Sequence, residues 1–317
     1  MFRLPFSTNR VTQISVSSVV IAVCLMIAQC QFARASINVE SLAKKIGSKA
    51  HSASGTLGVG VYDFETGQSW YWNGDKSFPM MSVAKMVVTI AVLQMVDQGK
   101  LSIDGHVAVS AKDVAAIRSG VIPDPLKVGT RFVTLHSLMQ KAICNSNNGA
   151  VDVLMRLAGG PQSVDKSLAS LNVPGIRVDR YEGDIVKAES KKAADTSNMD
   201  TATPKGMCDM LVKLQKVKLL SSASTNVLLS MMAECKTGDY RIKAGFPSGT
   251  VVQHKTGTGG THNGLCSATN DVAIVALPSG KKLAVAIFLA NAGGSDQSRD
   301  KVIASVSSDI YDAVEKH

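Results

Sequence analysis

The feature of the sequence that most constrains the fold is an apolar run from Ser82 to Gly99, which meets no helix breaker before the glycine. The run is too long for one strand and is apolar nearly all round, so it predicts a buried central helix. Lys85 lies near the start of this run, and a charged side chain in an otherwise apolar helix indicates a functional role. The Ser82 hydroxyl and the Lys85 amine, at positions i and i+3, lie on one face of the helix.

A serine and a lysine in this position suit nucleophilic chemistry. The positive field of the helix N-terminus favours an incipient alkoxide on Ser82. Desolvation lowers the pKa of a lysine, so Lys85 can take the serine proton. An S-x-x-K pair alone is also compatible with a capping serine beside a surface lysine, and the apolar surroundings favour the chemical interpretation.

The segments around the central helix predict one sheet built from both ends of the chain. Residues 58–63 and 69–72 alternate in polarity and are separated by Glu65-Thr66-Gly67-Gln68, which predicts a hairpin. Near the C-terminus the apolar period changes, which predicts three strands and a closing helix over residues 251–256, 271–277, 283–289 and 297–316. Strands at both ends and helices between them indicate an α/β (α+β) fold with a helical insertion.

The middle of the chain predicts helices separated by polar segments. A helical pattern over residues 135–157 is interrupted once and stops at Gly159-Gly160-Pro161. Thr203-Pro204 places proline in the first turn of a further helix, and residues 219–235 predict another. The stretch 179–200 is polar without a clean period, and it is long enough to be a functional loop.

The first 35 residues predict a cleaved secretory signal. Arg3 and Arg10 precede an apolar run from Ile14 to Ala28, and Ala33-Arg34-Ala35 follows as a cleavage site. The run of about 15 residues is shorter than the ~20 that span a bilayer, so no membrane anchor is expected after cleavage. We therefore expect a secreted or periplasmic protein that begins at Ser36.

Charge and cysteine content exclude several classes of partner and cofactor. The formal net charge is +9 and the basic residues are scattered, so a nucleic-acid partner is not expected. Cys144, Cys208, Cys235 and Cys266 have no C-x-x-C spacing, and the sequence has no H-x-x-x-H pair, so no metal or other cofactor is expected. In an exported protein these four cysteines either form up to two disulfide bridges or remain as buried free thiols.

Two further motifs suit a substrate cleft. Ser146-Asn147-Asn148 interrupts a helix, where a hydroxyl and two amides face a cleft, although an ordinary asparagine turn has the same sequence. Lys255-Thr256-Gly257 ends a β-rich run before Thr258, and a strand edge there presents backbone N–H groups, with the glycine keeping side chains off the substrate. In this order, S-x-x-K, S-x-N and K-T-G are the elements of the penicillin-recognising serine enzymes.

The chain resembles a class A β-lactamase from about Gly58 to the C-terminus. Beyond the three motifs, the similar stretches are residues 147–150, 159–161, 202–207 and 237–245. The turn from Gly259 to Asn270 is similar to the extended-spectrum, cephalosporin-hydrolysing branch. The resemblance implies an antiparallel sheet with flanking helices from residues 36–76 and 236–317, an all-helical domain over 77–235 with an Ω-type loop at about 179–200, and an active site between them.

The resemblance implies catalytic roles for four matched residues. Ser82 is the nucleophile that opens the lactam ring, and Lys85 is its proton partner. Ser146 passes the proton to the departing lactam nitrogen. Glu182 activates the water that hydrolyses the acyl-enzyme. Its loop is braced by a structural pair, Arg180 with Asp200.

The resemblance also implies which residues hold the substrate. Lys255 and Thr256 meet its carboxylate, and Arg241 adds a second positive charge there. Asn148 holds the acylamide side chain. The backbone N–H groups of Ser82 and Thr258 form the oxyanion hole, and Gly257 between Thr256 and Thr258 belongs to the substrate-binding residues.

Two departures from the family pattern bear on the second half of the reaction. The position four residues after Glu182, usually an asparagine that helps to hold the water, is Val186, for which Asn198 is a candidate substitute. The second motif has Asn147 where aspartate is usual, which removes a buried charge. We expect acylation to survive. Three functions stay open: a monomeric β-lactamase acting on penicillins or cephalosporins, a D-Ala-D-Ala peptidase or penicillin-binding protein, and a β-lactam-binding or sensing module without turnover.

Overall fold

A computed structural model describes residues 37–109, 131–190 and 199–315 of the chain. The predicted signal at residues 1–35 and the candidate amide of Asn198 lie outside these ranges. Within them, every helix is too short or too polar to cross a membrane.

Short strands and helices alternate in the first part of the chain. The elements are α1 (Val39–Ser52), β1 (Thr56–Asp63), β2 (Ser69–Trp72), β3 (Phe78–Pro79), a 3₁₀ turn (Met81–Val83), α2 (Ala84–Asp97), β4 (His106–Val109), β5 (Arg131–Thr134), α3 (Leu135–Cys144), α4 (Asn148–Leu157) and α5 (Pro161–Ser170). Side-chain caps begin three of these helices, because Asn38 accepts the N–H of Ser41, Thr134 that of Ser137 and Asn147 that of Ala150.

The second part ends in the long strands of the sheet. Its elements are α6 (Glu182–Ser190), β6 (Thr201–Ala202), α7 (Pro204–Gln215), α8 (Ser222–Ala233), a 3₁₀ turn (Ile242–Gly245), β7 (Val251–Thr258), β8 (Thr261–His262), β9 (Leu265–Ala276), β10 (Lys282–Ala292) and α9 (Asp296–Glu315). Thr203 caps α7 and Pro204 occupies its first turn, as the sequence predicts.

The main sheet is antiparallel and is built from both ends of the chain. Its strand order is β2-β1-β10-β9-β7, and β8 pairs with the start of β9. β1 pairs with β10 over its full length, from Thr56 opposite Ala290 to Asp63 opposite Leu283. The prediction of one sheet from both ends is confirmed, while the proposed boundaries of a sheet domain and a helical domain remain a prediction.

Helices cover both faces of this sheet. Along β9, Val272 and Ile274 pack in the core that contains α2, whereas Ala273 and Val275 pack in the core that contains α1 and α9. This alternation follows the two-residue period of a strand. α2 is buried at every residue from Ala84 to Leu93, which confirms the predicted central helix.

Two segments differ from the expectation. Residues 179–200 contain helix α6, whose few buried residues leave no apolar stripe in the sequence. The expected long turn from Gly259 to Asn270 is wrong, because β8 and β9 form a hairpin there. Its tip is Asn263-Gly264, both with positive φ, and Asn-Gly is a favoured pair for such a turn.

Candidate active site

The N-terminal end of α2 brings three of the predicted catalytic residues into one hydrogen-bonded chain. Lys85 Nζ donates to Ser82 Oγ at 2.5 Å and also to Glu182 Oε1. Lys85 is fully buried and Glu182 is nearly so, whereas Ser82 is half-buried. A hydroxyl at the mouth of a buried amine–carboxylate pair is suited to nucleophilic attack with proton transfer.

The turn that carries Ser82 is held from the sheet. Asn270 Nδ2, on β9, donates to Pro79 O at 2.7 Å and to Met80 O at 3.2 Å. A Cβ on Gly257 would lie 2.3 Å from Met80 O, so β7 approaches the turn more closely than a side chain allows. Close packing against the turn therefore requires this glycine, a reason different from the expected clearance for substrate. Met81 has φ +50°, a costly conformation that occurs next to the candidate nucleophile.

A hydrogen bond joins the second and third motifs. Lys255 Nζ donates to Ser146 Oγ at 3.1 Å and to Thr256 O at 3.1 Å. Lys255 is fully buried, and burial lowers its pKa to about 8. Ser146 has φ +55°, which again places backbone strain at a candidate catalytic residue.

The asparagines of the second motif have different surroundings. The Asn147 Oδ1 atom caps α4, while its buried Nδ2 has no hydrogen-bond partner in the described structure. Asn148 is the first residue of α4 and is half-buried. Asn147 is thus part of the scaffold, and the binding role of Asn148 remains a prediction.

Arg241 makes more contacts within the protein than its predicted role in substrate binding requires. Its buried guanidinium donates to Gly257 O at 3.2 Å, to Asn270 O at 2.8 Å and to Thr258 Oγ1 at 2.7 Å. It also forms an ion pair with Asp300 at 2.7 Å. The positive charge expected beside the third motif is therefore present, but a carboxylate on α9 partly offsets it.

The predicted structural pair joins a residue before the first turn of α6 to a residue that follows the helix. Arg180 Nε donates to Asp200 Oδ2 at 2.6 Å, and Asp200 Oδ1 accepts the N–H of Asp179 and that of Arg180 itself. Asp179 Oδ2 in turn accepts the Asp200 N–H at 2.8 Å. These bonds close the base of the loop that presents Glu182.

Asp152, on α4, contacts this loop directly and was missed by the sequence analysis. One of its oxygens accepts the N–H of Glu182 at 2.7 Å, and the other accepts the N–H of Gly183 at 3.0 Å. These donors belong to the first turn of α6, where a helix has free N–H groups. Burial raises the pKa of Asp152 to about 6. The signal in the sequence is an acid within an apolar helix, the same kind of signal that singled out Lys85.

The cysteines do not take part in the site's hydrogen-bonded chains with Ser82 and Lys255. All four described cysteines are free and buried, so they are not joined as disulfides. Burial raises the pKa of the Cys144 thiol to about 11, which keeps it protonated and unreactive. Among the described residues, no group of histidine, cysteine and acidic side chains is arranged to hold a metal ion.

Comparison with known proteins agrees with this geometry. The model of the β-lactamase enzyme family matches residues 40–314. β-Lactamase VEB-1 of Pseudomonas aeruginosa is 29% identical over 84% of this chain and 88% of its own length. Extended-spectrum β-lactamase PER-1 of the same organism is 33% identical over 84% of this chain and 83% of its own length.

A solved structure gives the same result for the fold. The structure of a class A β-lactamase representing the last common ancestor of Gram-negative bacteria superposes with a TM-score of 0.76. It is 32% identical and covers 86% of this chain and 99% of its own. The chain therefore belongs to the β-lactamase enzyme family, in its class A branch of serine hydrolases.

Proposed function

We propose that this protein is a serine β-lactamase that hydrolyses penicillins or cephalosporins through an acyl-enzyme on Ser82 and deacylation assisted by Glu182. The observation that carries the proposal is the position of Lys85, whose amine donates to both of these side chains. One buried group thus connects the nucleophile of the first step with the base of the second. A peptidase that stays acylated needs no carboxylate at that point.

Acylation begins with transfer of the Ser82 proton. Lys85, as a neutral amine, takes the proton from Ser82 Oγ, to which it is hydrogen-bonded. The oxygen then bonds to the lactam carbonyl carbon, and backbone N–H groups of Ser82 and Thr258 stabilise the oxyanion. As the C–N bond breaks, Ser146 gives its proton to the lactam nitrogen and takes one back from the protonated amine of Lys85. Lys255, which donates to Ser146 Oγ at 3.1 Å, supports this role.

Substrate binding uses the charge around the third motif. The carboxylate of a penicillin or cephalosporin accepts hydrogen bonds from Thr256 and is attracted by the charges of Lys255 and Arg241. Asn148 holds the acylamide side chain from the opposite wall. Gly257 allows β7 to approach the Ser82 turn, so the oxyanion donors lie beside the nucleophile.

Deacylation depends on the carboxylate of Glu182. It takes a proton from a water molecule, whose oxygen bonds to the acyl carbon. The Ser82–carbon bond then breaks as this proton passes from Glu182 through Lys85 to Ser82 Oγ. Val186 is half-buried and has no polar atom with which to hold this water. Asp152 accepts the backbone N–H of Glu182 and so supports the position of the Glu182 carboxylate, although Val186 cannot hold the water.

Location and assembly are part of the same proposal. We propose a monomer that needs no metal or cofactor, because the proposed steps use only side chains of this chain and water. Export by the N-terminal segment, with a mature protein starting at Ser36, places the enzyme in the periplasm or outside the cell. The site lies between the sheet and the helices over residues 77–235, which supports their proposed division into two domains.

A stopped-flow trace with excess chromogenic cephalosporin tests the function. Sustained turnover is expected from the mature protein, and a burst near one equivalent that stalls would instead mark a penicillin-binding or sensing protein. The Glu182→Ala variant should acylate and then retain the adduct, which mass spectrometry detects. Asp184→Ala, which removes an exposed acid from the same helix, is the control and should turn over normally. Rapid turnover by Glu182→Ala, or cleavage of a D-Ala-D-Ala peptide in place of the lactam, would refute the assignment.

A further inference from the structure

Behind the candidate carboxylate-binding threonine lies a chain of hydroxyl and thiol groups that the proposed mechanism does not use. Thr237 Oγ1 lies 2.6 Å from Thr256 Oγ1. Cys235 Sγ lies 3.3 Å from Thr237 Oγ1 and 3.8 Å from the carbonyl oxygen of the same residue. Cys235 and Thr256 are buried, and Thr237 is half-buried.

The backbone holds Thr237 in this position. Gly238 has φ +83°, and a Cβ added there would lie 2.3 Å from the Thr256 methyl group. The Arg241 N–H donates to Gly238 O at 2.9 Å, which closes the turn. This segment packs directly on Thr256, so the short distance between the two hydroxyl groups is a constraint of the fold.

Only one hydrogen can lie between the two hydroxyl oxygens, which leaves two arrangements. If Thr256 donates to Thr237, Thr256 presents only lone pairs to the cleft, and these repel a carboxylate. If Thr237 donates to Thr256, the Thr256 proton is free to point into the cleft. A carboxylate is an acceptor only, so it requires the second arrangement.

The thiol favours the second arrangement. Sulfur is a weak acceptor, so the Thr237 proton gains more from Thr256 Oγ1 than from Cys235 Sγ. The Cys235 S–H group can then donate to Thr237, either to its hydroxyl oxygen or to its carbonyl oxygen. The hydrogen bonds consequently run in one direction, from Cys235 to Thr237 to Thr256 and then to the ligand.

We infer that Thr237 is a positioning residue that orients the Thr256 hydroxyl as a donor to the carboxylate of a bicyclic lactam. The inference rests on the proposed function, because it names the substrate group that this donor meets. Thr237 acts through Thr256 and does not touch the substrate. Its effect is therefore on the binding of anionic substrates and not on the chemical steps at Ser82.

The test is steady-state kinetics of Thr237→Val, an isosteric change that removes only the hydroxyl. KM for a cephalosporin with its free carboxylate should rise about 2- to 10-fold, the range for one lost hydrogen bond, while kcat changes by less than about twofold. KM for the methyl ester of the same cephalosporin should not change. Thr237→Ser should restore the wild-type KM, because it returns the hydroxyl.

Thr225→Val is the matched control. Its buried hydroxyl, on α8, has no hydrogen-bond partner in the described structure. The change therefore removes a hydroxyl from the core and leaves the hydrogen bonds of Cys235, Thr237 and Thr256 intact. A lower KM for the carboxylate substrate in Thr237→Val would show that Thr256 donates to Thr237, which overturns the inference. Equal effects on the acid and on its ester would assign Thr237 a packing role only, which also overturns it.

The inference and the proposed function fail in different ways. If the wild-type protein turns over no lactam, the proposed function fails. The inference is then decided by calorimetric dissociation constants of the free acid and its ester in a Ser82→Ala background, with and without Thr237→Val. A selective loss of affinity for the acid supports the inference, and an unchanged ratio of the two constants refutes it.

Discussion

Replacement of Asp152 by asparagine tests whether this residue positions Glu182 for deacylation. The Asp152 carboxylate uses one oxygen for the Glu182 N–H at 2.7 Å and the other for the Gly183 N–H at 3.0 Å. An asparagine has the same shape but only one acceptor oxygen, so its NH₂ group faces one of the two donors. One N–H of the first turn of α6 then loses its partner.

The size of the effect follows from that lost partner. An unpaired buried donor costs about 1–3 kcal/mol. The first turn of α6 can shift to relieve this cost, but the shift moves the Glu182 carboxylate away from the water. The activation free energy of deacylation therefore rises by about the same amount. At 1.36 kcal/mol for each tenfold change, the deacylation rate should fall by about 5- to 150-fold. Acylation should fall by less than about threefold, since the backbone of Ser82 belongs to the 3₁₀ turn and that of Lys85 to α2, and neither belongs to α6.

Stopped-flow measurement of the acylation burst and of the later steady rate separates the two steps. Asp184→Asn is the matched control, because Asp184 is an exposed acid on α6 that pairs with exposed Lys187 at 3.2 Å. Thermal unfolding of both variants shows how much of the change is loss of stability. Equal deacylation rates in Asp152→Asn and Asp184→Asn would refute the positioning role, and so would an equal loss in acylation and deacylation.

Three further predictions use other contacts of the site. Burial lowers the pKa of Lys255 to about 8, so its charge is present below that pH and is lost above it. KM for a free-acid cephalosporin should therefore rise by about 10- to 100-fold at high pH. KM for the ester of the same cephalosporin should not change with pH. Asp300→Asn keeps an acceptor for Arg241 and removes the opposing charge, so it should lower KM for the free acid by up to about fivefold, and an unchanged KM would show that the ion pair does not limit binding. A reducing agent should leave the melting temperature unchanged, because the described cysteines are free; a drop on reduction would contradict this.

The parts of the fold that the sequence predicts are those with a strong local pattern. α2 is apolar on every side and is buried, and the hairpin of β1 and β2 has alternating strands around a turn. The motifs are short and contiguous, so their residues can be recognised before any contact is known. What the motifs do not contain is the distance between them, such as the 3.1 Å from Lys255 to Ser146.

The missed features depend on contacts between distant residues. α6 has no apolar stripe, and its first turn is held by Asp152, which lies 30 residues before Glu182. The partner of Arg241, Asp300, lies 59 residues later on α9, and nothing near either residue indicates the pair. The hairpin of β8 and β9 was hidden by polar residues in the first half of β9, although Asn263-Gly264 is a turn signal.

The position of β10 in the sheet has a consequence for the order of folding. This strand lies between β1 and β9 at the centre of the sheet, yet nearly all of the chain precedes it. Thr56 on β1 pairs with Ala290, so closing the sheet joins segments more than two hundred residues apart. Contacts at such separation make folding slow, and this one cannot form before the C-terminal segment leaves the ribosome. Throughout synthesis the nascent chain therefore lacks the centre of its sheet, and a chain in that state can still be threaded through a translocation pore.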